Sequence, residues 1–290
     1  MICHPNAKIN LGLNVTERRP DGYHNLETIF YPIPICDALQ VETDAGIPSV
    51  IPPGGCITHV NDEPDYMLST SGIGIDCPPE KNLVIKTLRA LQQSFALPRL
   101  YIYMYKQIPS GAGLGGGSSD AAFMMKTLNE MFSLGLSDEY MEHRVAPLGA
   151  DCAFFVRNRP AFATGIGNIL SPLELSLAGW HLVLVKPDIF VSTKEAYSCI
   201  RPQHPATSVT DIVRRPVEEW RGLLTNDFEE GIFALHPAIA GIKEQLYARG
   251  ATYASMSGSG SSVFGLFRQR QDEAEMQALF PGCFCRQMTL

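Results

Sequence analysis

Between positions 109 and 120 the chain reads Pro-Ser-Gly-Ala-Gly-Leu-Gly-Gly-Gly-Ser-Ser-Asp, with five glycines in the seven positions 111–117. A tyrosine-rich, strand-like stretch over residues 97–108 leads into it, and Ala121, Met125, Leu128 and Phe132 follow at helical spacing. Glycines let backbone N–H groups converge without obstruction by Cβ atoms, and the start of a helix carries about half a positive charge. The segment is therefore suited to hold a phosphate group, and Ser118, Ser119 and Asp120 suit the capping region of the helix. A turn that serves structure alone needs one or two glycines rather than five.

Two common phosphate loops fit this segment poorly. A Walker A loop requires a lysine just before the Ser or Thr at the helix start, and positions 116 and 117 are both glycine. Gly111-Ala-Gly113-Leu-Gly115-Gly116 does satisfy the dinucleotide pattern G-x-G-x-x-G, with Glu130 about twenty residues on. In a dinucleotide fold, however, that acid ends a second parallel strand, and the loop opens the first βαβ unit. Here Glu130 sits in the helical run and a hundred residues precede the loop, which leaves a nicotinamide oxidoreductase as a distant alternative.

Upstream, Ala7, Ile9, Leu11, Leu13 and Val15 alternate with Lys8, Asn10, Gly12 and Asn14, the period of a half-buried strand. Its polar face presents Lys8, Asn10 and Asn14; taken in isolation, the lysine on that face reads first as part of a solvated edge. Arg19-Pro-Asp-Gly22 is a turn signal that delivers Tyr23 and His24 close to this strand, where a structural histidine is the plain alternative. Residues 43–79, rich in Gly, Pro, Asp and Ser, read as short strands and loops. Apolar residues at 84, 85, 88, 91 and 95 mark a helix over 82–95; residues 180–185 and 262–267 read as strands and 237–249 as a helix.

Bulk properties narrow the function classes. The 290 residues, 45% hydrophobic and 18% charged, suffice for one large domain or two modest ones. A formal charge of −7 argues against nucleic acid or an anionic membrane as partner, since both need clustered Lys and Arg. The N-terminal residues lack the pattern of a secretory signal, and no run reaches the roughly 18 apolar residues of a spanning helix; the expectation is a soluble, cytoplasmic protein. The eight cysteines are scattered, with no Cys-x-x-Cys pair, and read as reduced thiols that mostly pack in the interior.

Five segments in order resemble the GHMP kinases. They are Pro5-Asn-Ala-Lys-Ile-Asn-Leu-Gly-Leu, Arg19-Pro-Asp-Gly-Tyr-His-Asn-Leu, the run from Pro109 to Ser119, Gly149-Ala-Asp-Cys-Ala-Phe-Phe, and Ser255-Met-Ser-Gly-Ser-Gly-Ser-Ser-Val-Phe-Gly. The second and fourth point to the branch that acts on 4-diphosphocytidyl-2-C-methyl-D-erythritol. The resemblance spans nearly the whole chain. It implies an α+β fold in two parts: a ribosomal S5-like N-terminal domain over 1–156 that carries the loop, and a ferredoxin-like C-terminal domain over 157–290, with the active site in the cleft between them.

The resemblance also implies an activity and its residues. ATP with Mg²⁺ would phosphorylate the 2-hydroxyl of the diphosphocytidyl substrate, giving ADP, in non-mevalonate isoprenoid synthesis. Lys8 and Asp151 would be the catalytic pair, Asp151 accepting or steering the hydroxyl proton and Lys8 offsetting charge; alone, Asp151 reads equally as a turn or cap residue. Tyr23, His24, Thr193 and Tyr197 would contact the cytidine side and Asn10 the methylerythritol end, though Tyr197 equally fits a core. Pro109, Gly111, Gly113, Leu114, Gly115, Gly116, Gly117, Ser118 and Ser119 would hold the phosphates, Ser118 or Ser119 lying near Mg²⁺, and Lys106 would approach the adenine. Gly258 and Gly260 would form a second turn beside the loop. Cys152-Ala153 departs from the family's usual Val-Pro, and Cys152 reads as packing. The competing readings are a kinase for homoserine, mevalonate or a sugar, and a catalytically silent sensor on the same scaffold; monomer and homodimer both remain open.

Overall fold

A computed structural model describes residues 1–45, 49–52, 56–75 and 77–290. Of the stretch 43–79 read as short strands and loops, positions 46–48, 53–55 and 76 lie outside the described residues. The chain divides into two compact units that interleave along the sequence. The first comprises Met1–Ala7, Ile35–Ser110 and Gly115–Asn158; the second comprises Lys8–Pro34, Gly111–Leu114 and Arg159–Leu290. A single cut between 156 and 157 does not describe these units. Residues 8–34 belong with the second because the strand Asn6–Arg18 and its neighbour His24–Cys36 join the sheet of Ala161–Thr164 and Ile169–Pro172, and residues 111–114 bond to Lys8 and Ser257 of that unit.

In the first unit a five-stranded sheet has the order Ile2–Cys3, Ala38–Glu42, Leu100–Lys106, Tyr66–Gly72, Ile57–Glu63. Tyr66–Gly72 runs parallel to Leu100–Lys106, and the chain between them forms the helix Leu83–Gln92, as a parallel pair requires a long crossover. That helix buries Val84, Ile85, Leu88 and Leu91, four of the five stripe positions. Its true start is set by Asn82, whose side chain accepts a hydrogen bond from the Val84 amide at 2.9 Å. Helix Leu83–Gln92 packs on helix Gly116–Met131, which carries the glycine segment at its start.

The second unit holds two four-stranded sheets. One contains the N-terminal strand just described. The other is antiparallel, in the order Tyr253–Met256, Val263–Phe267, His181–Lys186, Phe284–Thr289. Helices Pro237–Ala248 and Glu273–Leu279 pack on it, the first opening with Pro at a position where no amide donor is needed. A core of Leu13, Val15, Val183, Val185, Phe228, Ile232 and Phe267 joins both sheets to the helices.

The strand Asn6–Arg18 departs from expectation in one respect. Residues 7–15 are buried on both faces, including Lys8, Asn10 and Asn14, so this is not an edge with a solvated polar side. Among the described residues no helix is long and apolar enough to cross a membrane.

Candidate active site

In the second unit, three of the sequence motifs meet at the apex of the glycine segment. Gly111 and Gly113 adopt φ of +60° and +73°, a region that side chains resist. The Lys8 amide donates to the Leu114 carbonyl at 2.9 Å, which fixes the start of the N-terminal strand on the apex. From the other side Ser257 Oγ donates to the Gly113 carbonyl at 2.9 Å and accepts from the Asn10 amide at 3.2 Å. A Cβ on Gly113 would lie 2.0 Å from the Ser257 carbonyl oxygen, so the contact admits only glycine. Lys8 Nζ donates to Asn10 Oδ1 at 2.7 Å and stands 4.8 Å from the centre of the Phe30 ring. Asn10 Nδ2 in turn donates to Thr28 Oγ1 at 2.9 Å. The two polar side chains singled out on this strand are thus held in fixed positions beside the apex.

In the first unit, the segment continues into the helix Gly116–Met131, which begins five residues earlier than the apolar stripe. Gly115 is its cap, at φ +71°, and no side chain caps it. Ser118, Ser119 and Asp120, which the sequence places in the capping region, lie instead inside the first turns. The reason is that left-handed Gly115 turns the chain directly into the helix, its carbonyl accepting from the Ser119 amide at 2.9 Å. The first amides of this helix have no intrahelical acceptor, the arrangement that favours an anion. Pro109 is buried, and a Cβ on Gly116 would stand 2.8 Å from Ile108 Cγ2. Ser119 is fully buried, and its Oγ has no hydrogen-bond partner among the described residues.

The turn that carries Asp151 lies against the same helix start. A Cβ on Gly149 would be 3.2 Å from both Ser118 Oγ and Cys152 Sγ. Asp151 occupies the cap position before helix Cys152–Arg157, as the turn-or-cap reading has it, although its side chain makes no capping bond to that helix. Cys152 is fully buried; burial pushes its thiol up to about 11, with the charge of Asp151 adding to this and a hydrogen bond to Ser118 opposing it. A thiol so protonated is no nucleophile at neutral pH.

Lys106 does not present itself to a ligand. Its ammonium is buried between the carboxylates of Asp37 and Asp120. Burial alone would lower its pKa, yet the two carboxylates outweigh this and hold it above the ordinary lysine value. Asp37 further accepts the Gln107 and Ile108 amides at 2.6 and 2.9 Å. Lys106 therefore anchors the strand that enters the glycine segment, and its enclosed ammonium is not turned toward an adenine as the resemblance implied.

Also in the second unit, among the residues expected to contact the cytidine side, the turn at residues 19–23 closes through the Arg19 amide on the Tyr23 carbonyl at 2.8 Å. Tyr23 is 62% exposed. His24 stacks on Tyr197 with ring centres 4.7 Å apart and 17° between planes, and Tyr197 meets Phe228 edge-on at 4.9 Å. Tyr197 thus packs against the core on one side and on His24 on the other. Burial, then the charge of Arg18, lowers the His24 pKa below its usual value. Thr193 opens the short helix Thr193–Ser198, exposed, with Ser192 as cap.

Three further residues had no sequence signal of their own. Phe190 is 71% exposed, with its ring 2.8 Å from where a Cβ on Gly111 would lie. Its loop is pinned by Ser261 Oγ on the Ile189 carbonyl at 2.6 Å. Ser257 lay inside a recognised motif without a role, and Asn226 lay in none.

Comparison with known proteins bears on the family and the fold. The family model described as GHMP kinases N terminal domain matches residues 82–159, and the one described as GHMP kinases C terminal matches 208–281. The chain is 56% identical over 291 residues to the 4-diphosphocytidyl-2-C-methyl-D-erythritol kinase of Bacteroides fragilis, covering 100% of both. A crystal structure of 4-(cytidine 5'-diphospho)-2C-methyl-D-erythritol kinase is similar at TM-score 0.76 and 29% identity, with 100% of each chain covered. The mevalonate kinase of Methanococcus jannaschii, at TM-score 0.64 and 14% identity over 100% of this chain and 98% of its own, shares the fold alone.

Proposed function

The chain belongs to the GHMP kinases, and from that premise we propose that it transfers the γ-phosphoryl group of ATP to the 2-hydroxyl of 4-diphosphocytidyl-2-C-methyl-D-erythritol. The products are the 2-phosphate and ADP, and the setting is the cytoplasmic, non-mevalonate route to isoprenoids. The full-length likeness to the Bacteroides fragilis kinase carries the substrate assignment. The stacked pair of His24 and Tyr197, with exposed rings at Tyr23 and Phe190, supports it: aromatic faces suit a pyrimidine base, and a neutral imidazole offers directional hydrogen bonds.

The glycine segment holds the triphosphate through backbone amides, so that transfer rests on positioning and charge stabilisation more than on covalent chemistry. The alcohol oxygen attacks the γ-phosphorus, its proton passing toward Asp151, while the bond to the ADP oxygen breaks. Lys8, its ammonium directed by Asn10, offsets negative charge on the transferred group. Asn10, itself fixed through Thr28 and Ser257, hydrogen-bonds the methylerythritol end in this reading.

A magnesium ion fits the residues present. The buried Ser119 hydroxyl lacks a partner, and an oxygen donor of that kind, together with phosphate oxygens, is the usual company of Mg²⁺. Ser119 would hold it, with Ser118 beside it; bound there, the ion would offset charge on the β- and γ-phosphates. Among the described residues no cluster of three or more His, Cys, Asp or Glu side chains forms a separate metal cage.

The test is ADP release with the diphosphocytidyl alcohol, homoserine and mevalonate supplied in turn. Turnover is expected with the first alone. Comparable turnover with either of the others, or none with the first, overturns the assignment.

A further inference from the structure

The segment 225–229, Thr-Asn-Asp-Phe-Glu, belongs to no motif that the function has used, yet the side chains of Asn226, Asp227 and Glu229 are each committed to hydrogen bonds. Leu13 and Asn226 form an isolated parallel bridge, in which the Leu13 amide donates to Thr225 O and the Asp227 amide donates to Leu13 O, both at 2.9 Å. Asp227 also accepts from the Val15 amide at 2.7 Å and from Asn14 Nδ2 at 3.1 Å. The segment is thereby fastened along the strand that carries Lys8 and Asn10.

Asn226, 3% exposed, faces the opposite way. Its Nδ2 donates to the carbonyls of Met256 at 2.8 Å and Gly258 at 2.9 Å, and its Oδ1 accepts from the Phe228 amide at 3.0 Å. The two acceptors flank Ser257, the residue whose hydroxyl bridges the Gly113 carbonyl and the Asn10 amide. This turn includes Gly258 and Gly260, both at positive φ, and a turn with that much conformational freedom keeps a fixed shape only when pinned from outside.

We infer that Asn226 is a positioning residue for phosphoryl transfer, acting through Ser257 to seat the C-terminal glycine turn on the apex of the phosphate-binding segment. The inference rests on the nucleotide site proposed above. Only a carboxamide serves: it has two N–H donors for two carbonyls and an acceptor for the Phe228 amide. Aspartate would direct a negative oxygen at both carbonyls, and serine would supply one donor. Glu229 is the internal comparison. It accepts from the Met256 amide at 2.8 Å and from Ser255 Oγ at 3.1 Å, so it holds the strand before the turn but reaches neither Ser257 nor Gly258.

The experiment is a double-mutant cycle on Asn226→Ala and Ser257→Ala, read by calorimetric binding of a non-hydrolysable ATP analogue and by kcat/KM, with Glu229→Gln as control. Asn226→Ala is expected to weaken analogue binding roughly tenfold or more, as the loss of two buried hydrogen bonds implies. Glu229→Gln should change analogue affinity less than about twofold while lowering the unfolding temperature. Because Asn226 acts through Ser257, the double variant should be little worse than the poorer single one. Additive losses, or unchanged affinity in Asn226→Ala, overturn the inference. Should Asn226→Ala not fold, Asn226→Ser replaces it with the same criteria. Wild type that binds no ATP analogue would instead refute the proposed function, so the two failures are distinct.

Discussion

Replacing Asp120 by asparagine is predicted to stabilise the chain relative to wild type at pH 8 more than at pH 5. Asp120 is fully buried in helix Gly116–Met131, one oxygen on Lys106 and the other, Oδ1, without a partner among the described residues. Lys106 is shared with Asp37, so three ionised groups would leave one net negative charge sealed from water. Burial is the largest influence on Asp120; it outweighs the attraction of Lys106, Asp37 adds to it, and the carboxyl is pushed up to about 7. In the unfolded chain the group titrates near 3.8. Between those values the folded state keeps a proton that the unfolded state has released, so stability falls as pH rises toward 7 and is level above it. At about 1.4 kcal/mol per pH unit, the interval from pH 5 to pH 7 amounts to roughly 3 kcal/mol. Asparagine is neutral throughout and lacks this dependence, and Asp37 still pairs with Lys106, so no buried charge is stranded. Trp180 and Trp220 both lie in the other unit, so urea unfolding must be followed by circular dichroism and not by tryptophan fluorescence. The difference between variant and wild type should grow by roughly 3 kcal/mol from pH 5 to pH 8. A difference that is the same at both values, or that shrinks, refutes the reasoning.

Further outcomes follow from the same contacts. Gly113→Ala, strained at positive φ and 2.0 Å from the Ser257 carbonyl, should abolish detectable binding of an ATP analogue by calorimetry; retention within a few-fold would contradict the packing. His24→Ala should raise KM for the diphosphocytidyl substrate by about tenfold with a smaller effect on kcat, in line with the loss of a stacked, hydrogen-bonding ring. Since burial holds the His24 pKa below its usual value, wild-type KM should be flat above about pH 6.5 and rise only at lower pH; a rise on the alkaline side would point elsewhere. Lys8→Ala and Asp151→Asn should each lower kcat by at least ~100-fold, and a near-normal rate in either removes that residue from the mechanism.

Much of this site was legible because its residues act locally. The strand at 7–15 has a period of two, and the glycine segment needs no partner to reveal what its backbone can do. What escaped depended on residues distant in sequence. Nothing within the strand says that its polar face is buried; that follows from Phe30 and Thr28 on the neighbouring strand and from Ser257. Lys106 looked available beside the loop until Asp37 and Asp120 were found to enclose it. The helix start was misplaced because apolar spacing cannot register Gly116 and Gly117 as helical; the left-handed Gly115 decides it. Asn226 and Phe190 have no pattern at all, since one acts on carbonyls thirty residues away and the other matters for being exposed.

The most direct measurement is the position of the new phosphate. After incubation with ATP and the diphosphocytidyl alcohol, fragmentation mass spectrometry of the product should locate one added phosphoryl group on the methylerythritol half, with ADP formed in equal amount. A phosphoryl group on the cytidine half, or ATP consumed without any phosphorylated alcohol, would contradict the account.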